Sequence, residues 1–119
     1  MENNIIYHKS VDFSLLLLQS LDGLHAPSYQ VLINQLRRSG TAIGASIAEA
    51  DSAQSMLDFI SKMKIADKEA NETLYWLKLL EKEFPSLSEK MLGPLLEIKR
   101  ILRSILVTCM KKRKEKKQA

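Results

Sequence analysis

The chain of 119 residues is long enough for one domain with a real core, and its 4 Gly and 3 Pro offer too little turn material for a strand-rich fold. A single cysteine, Cys109, excludes an internal disulfide and a cysteine-based metal site. The net charge of +4 is concentrated at one end: residues 111–117, KKRKEKK, hold six basic residues and one acid, and removing these from the 18 basic and 14 acidic residues leaves 12 against 13.

Aromatics make up only 6%, and Leu, Ile, Ala, Lys and Glu dominate, a composition suited to a few long helices. Met1-Glu-Asn-Asn opens with an acid and amides, unlike a secretory leader. The longest apolar run, residues 15–18, falls far short of the ~20 residues of a membrane helix. A reducing, cytoplasmic setting and no membrane contact are therefore expected.

The first helix is expected over residues 9–21, with an earlier start at Ile5 as the alternative and Ser10 as N-cap. Val11, Leu15, Leu18 and Leu21 form one stripe, and Phe13, Leu16 and Leu17 an adjoining one, so the helix should touch more than one neighbour. Gly23 is a natural stop, and Pro27 delays the next helix. His25 lies in this connector and reads as a solvated loop residue. The second helix is expected from residue 28 or 29 to 50 or 51, a span of roughly 34 Å. It contains QLRRSGTAIGASIAEA, residues 35–50, dense in small side chains around Leu36, Ile43, Ile47 and Ala50. Each Gly in a helix interior costs ~1 kcal/mol relative to Ala. Gly40 and Gly44 therefore imply close approach of another helix. The small Ala66 and Ala70 of the third helix are the expected partners.

Ser55 and Asp58 resemble a capping box at the start of that third helix, expected over residues 56–83. Phe59, Met63, Ala66, Ala70, Thr73, Leu77 and Leu80 make its stripe. Pro85 follows, and Gly93-Pro94 predicts a short turn and a kink before the last main helix. There Leu95, Ile98, Leu102, Ile105 and Cys109 form a stripe that fades into the basic run. The expected organisation is a bundle over residues 1–110 and a basic tail over residues 111–119.

Catalytic constellations are missing. Neither histidine has Glu three positions before it, as a bundle di-iron centre would need, since Ile5 precedes His8 and Asp22 precedes His25. No Gly-rich phosphate loop or GxSxG elbow occurs, Cys109 has no nearby His, and Ser61-x-x-Lys64 is a pattern common by chance in Lys-rich helices. No enzyme activity, cofactor or metal is expected. Glu69 and Glu72 read as a solvated helix face. Arg37, Arg38, Glu49 and Glu72 are candidates for structural ion pairs between helices or subunits. Arg37 and Arg38 also suit an anion or phosphate, because the planar guanidinium fork fits both. The cations Lys111, Lys112, Arg113, Lys114, Lys116 and Lys117 have two readings: complementing the helix dipole and aiding solubility, or neutralising phosphates of a nucleic acid. A membrane surface would match the charge, but no amphipathic hydrophobe accompanies the run in sequence.

Read together, the blocks Lys9-Ser10-x-x-Phe13, QLRRSGTAIGASIAEA and KMKIADKEANETLYWLKLLEKE carry a family likeness. The chain resembles the four-helix bundle proteins encoded in intervening sequences of bacterial 23S ribosomal RNA genes. Ser46 stands where that pattern usually has Asn, and Ala50 where it often has Gly. The resemblance implies an all-α, up-down-up-down four-helix bundle, frequently assembled as a ring-shaped homo-oligomer of five subunits around a channel. It also implies kinship with accessory proteins of diversity-generating retroelements, which associate with reverse transcriptase and nucleic acid, and no established enzymatic activity. The expectation is a non-enzymatic oligomer that binds nucleic acid, RNA rather than DNA, through Lys111, Lys112, Arg113, Lys114, Lys116 and Lys117 with Arg37 and Arg38. The alternative is a scaffolding oligomer whose partner is a protein such as a reverse transcriptase.

Overall fold

Four helices account for most of the chain in the computed structural model, which describes residues 5–118. They are α1 (Ile5–Leu21), α2 (Gln30–Ala50), α3 (Met56–Leu80) and α4 (Pro85–Gln118), with a 3-10 turn at Pro27–Tyr29 before α2. No strand occurs among the described residues. Helix α1 packs on α2 and α4, and α3 packs on α2 and α4, so the contacts close a four-sided bundle. The molecule measures 56 × 22 × 21 Å.

Helix α1 stops where the sequence says it should. Gly23 takes φ +74, the left-handed region that costs a glycine nothing, and Leu24 N donates to Leu21 O at 3.1 Å. The start differs. The helix is already formed at Ile5, so Ser10 lies in its interior and caps nothing. Its hydroxyl instead donates to Tyr7 O at 2.7 Å, returning to its own backbone as a buried helical serine does. Of the two predicted stripes, Phe13 and Leu17 join Ile6, Ser10 and Leu21 in the core. The other turns outward in its middle, leaving Leu15 60% and Leu18 41% exposed, and returns to the core only at Leu21.

The glycines of α2 explain why Ser10 is small. A Cβ on Gly40 would lie 2.3 Å from Leu17 Cδ2, and one on Gly44 would lie 3.1 Å from Ser10 Oγ. Both glycines therefore seat α1, not the Ala66/Ala70 face of α3 that the sequence suggested. Toward α3 the helix offers Ser39, whose Oγ meets Thr73 Oγ1 at 2.9 Å in full burial. Ala66 and Ala70 are themselves buried in the core.

Helix α3 begins on the predicted cap. Ser55 Oγ accepts from Asp58 N at 3.0 Å, and the shorter Asp58 carboxylate accepts from Gln54 N at 3.2 Å, one residue before the usual partner. Ile60, rather than Phe59, heads the buried stripe that continues through Met63, Ala66, Ala70, Thr73, Leu77 and Leu80. The helix ends at Leu80, three residues early, and Phe84 N closes the turn on Leu80 O at 2.8 Å.

No break follows at Gly93-Pro94: α4 is one helix of 34 residues with Pro94 inside it. Pro94 forfeits a backbone hydrogen bond, but Gly93 has no Cβ for the proline ring to crowd. The buried residues Leu87, Ser88 and Met91 on one side of Pro94 and Leu95, Ile98 and Leu102 on the other keep a single helical stripe.

Candidate nucleic-acid interface

The basic run is helical. α4 continues without interruption across the 110/111 position to Gln118, so the six cations ride on a helix surface. Five of them are exposed, and Arg113 is half-buried. At about 100° per residue they encircle the helix instead of sharing one face. Arg113, Lys114 and Lys117 fall on one arc, Lys112 and Lys116 on another, and Lys111 between them. Lys116 and Lys117 lie in the last turn, where positive charge complements the helix dipole. Among the described residues none of the six cations forms an ion pair.

The two arginines of α2 have different surroundings. Arg38 forks onto α3, with Nη1 3.2 Å from Glu69 Oε2 and Nη2 on the Glu72 carboxylate, while Nε donates to Gln35 Oε1 at 3.1 Å. Glu72 also accepts from Trp76 Nε1 at 3.2 Å. Arg38 is thus held between helices by two carboxylates, with little capacity left for a phosphate. Arg37 donates to Asn34 Oδ1 at 2.9 Å on its own helix and pairs with no carboxylate among the described residues. Glu49 reaches Lys62 at 3.3 Å, so neither arginine is its partner. Neither arginine stands beside the α4 cations in the α3–α4 groove, so the eight candidate cations do not form one patch.

With this geometry in place, comparison with known proteins settles the family. The pattern of the 23S rRNA-intervening sequence protein matches residues 2–106. The chain belongs to that family. A solved structure of a protein with unknown function from the S23 ribosomal protein family of Bacteroides thetaiotaomicron VPI-5482 is similar, with 38% identity and a TM-score of 0.76. The likeness covers 86% of this chain and 98% of that one. No curated protein matches.

The family match takes in the whole small-residue stretch of α2 and stops before the basic run. The match therefore bears on the bundle and leaves the charge of residues 111–117 to be explained separately. No group of three or more His, Cys, Asp or Glu side chains that could hold a metal exists among the described residues. No helix of the described chain is long and apolar enough to cross a membrane.

Sequence reasoning missed what lies beside the cations. The N-terminal turns of α3 and the end of α4 form a groove of about 280 Å³ lined by Leu57, Ile60 and Met110 with Lys64, Arg113, Lys114 and Lys117. Leu57 is 57% exposed and Met110 47%. Hydrophobes do accompany the charge, supplied mainly by another helix. The available signal was Leu57 and Met110 standing near basic residues of their own helices, but only the pairing of α3 with α4 unites them.

Proposed function

We propose that this protein is a non-enzymatic, cytoplasmic homo-oligomer that binds nucleic acid, RNA in preference to DNA, through the cations of α4. The observation that carries the reading is a set of six basic side chains on one exposed helical end, none satisfied by an acid among the described residues, on a body whose charges nearly cancel. Phosphates are the natural counter-charge for such a cluster. Truncation after Met110 should weaken RNA binding and flatten its salt dependence, by up to ~0.7 in slope for each single-strand phosphate left unneutralised. Full-length protein that fails to bind RNA even at ~50 mM salt, where such attraction is strongest, would exclude it.

The arrangement within the oligomer is part of the same reading. Pairings of Glu49 with Lys62 and of Arg38 with Glu72 run in opposite senses along α2 and α3, which supports an up-down-up-down course. The outward stripe of α1 borders a shallow groove lined by Val11, Leu15, Ala45 and Ala48, an apolar face suited to a neighbouring copy in a ring. Each copy would add its tail cations to the assembly, and weak phosphate binding would gain by avidity. Light scattering should give a multiple of the 13.5 kDa chain mass, five-fold for the expected ring. A mass of 13.5 kDa would remove the ring and its avidity.

A further inference from the structure

The α3–α4 groove has a composition that phosphate binding does not need. Its lining combines three apolar side chains, Leu57, Ile60 and Met110, with the cations Lys64, Arg113, Lys114 and Lys117, and includes no acid. A tail that served solubility, or neutralised phosphates alone, would gain nothing from leaving Leu57 and Met110 largely exposed between those cations. Removing either side chain from water is favourable, so their exposure beside a concave surface marks a place for a partner.

We propose that this groove docks an acidic amphipathic helix of a partner protein, its aliphatic face against Leu57, Ile60 and Met110 and its Asp or Glu residues against the four cations. Three features select this occupant. The groove runs between two helices, which is the seat of a third helix packing by its apolar face. Met110 is unbranched and polarizable, able to adapt to differing aliphatic partners. None of the lining side chains is aromatic, so the groove lacks the stacking platform that single-stranded nucleic acid uses. A duplex, with its bases paired inside, would reach the cations and leave the apolar floor empty. Acidic-helix docking is separate from nucleic-acid binding, although the two share Arg113, Lys114 and Lys117.

The test uses the full chain and two fluorescent peptides of about 18 residues, or five helical turns, made of the same numbers of Leu and Glu. One peptide places its Leu residues on a single helical face, and the other scrambles them around the helix. Fluorescence anisotropy should show the amphipathic peptide binding at least ~10-fold tighter than the scrambled one. The double variant Leu57→Gln, Met110→Gln should erase that margin and leave scrambled-peptide and poly(U) binding unchanged. Both residues are exposed, so the helical circular dichroism should be that of the parent. Equal affinity for the two peptides, binding of neither, or a margin that survives the double variant overturns the proposal. So does a variant that loses poly(U) instead, because the floor would then belong to single-stranded nucleic acid.

Discussion

Residues 39–50 of α2 and residues 111–117 of α4 are both compositional oddities, one crowded with small side chains and the other with cations. Half of the first is consumed by packing inside the bundle: Ser39, Gly40, Ile43, Ser46, Ile47 and Ala50 are buried, and the two glycines admit α1 to within van der Waals contact. The second is consumed by nothing inside the bundle, since its cations are exposed or half-exposed on the last turns of a helix. The family match includes the first and ends before the second. An unusual sequence is thus evidence of a constraint, and burial decides whether that constraint is the fold or a partner. The two segments should respond in opposite ways to substitution.

The largest effect belongs to Gly40. A methyl there would meet Leu17 Cδ2 at 2.3 Å, and Leu17 is fully buried, so its displacement would disturb the core. Gly40→Val should cost about 3 kcal/mol through overpacking, a fall of roughly 10 °C in the unfolding midpoint. In a Leu17→Ala background, itself costly by ~2–5 kcal/mol, the added cost of Gly40→Val should shrink by at least ~1 kcal/mol, because the clashing atom is gone. Equal costs in the two backgrounds, measured by denaturant titration, would break the assignment of this face to α1.

Truncation after Met110 sharpens the comparison from the other side. Removing a solvated helical end should move stability by no more than ~0.5 kcal/mol, while RNA binding falls. A truncated chain that loses stability as Gly40→Val does would make the basic run part of the fold, and its charge a matter of packing.

Much of this contrast was legible in the sequence, because helical ends and core stripes depend on neighbours close in the chain. Ser55 capping α3, Gly23 ending α1 and the burial of Leu36, Ile43 and Ile47 follow from local chemistry. Three features did not. Pro94 signals a break on its own, yet the residues on both sides of it share one buried stripe, and tertiary burial outweighs one lost hydrogen bond. α1 has two apolar stripes of similar strength, and only the position of α2 makes Phe13 and Leu17 the inner ones. The α3–α4 groove joins Leu57 to Met110 across some fifty positions of chain, so no spacing rule could connect them.

The smallest effect tests the same division at a single pair of side chains. Lys9 and Glu97 join α1 to α4 at 2.7 Å, with both side chains more than a third exposed. The hydrogen bond and charge of Lys9, aided by Arg100, hold the Glu97 carboxyl below its ordinary value of 4.5. A carboxyl with a depressed folded value contributes stability that is complete above the ordinary value and is lost as pH falls through the depressed one. Denaturant titrations should therefore show the parent slightly more stable than Glu97→Gln at neutral pH, with the gap closing below 4.5 as Glu97 takes up its proton. Exposed pairs are weak, so the gap should be small beside the Gly40 effect. A gap that stayed constant through acid would mean that Glu97 acts by packing and not by charge, placing it with the small residues of α2 instead of with the solvated cations of α4.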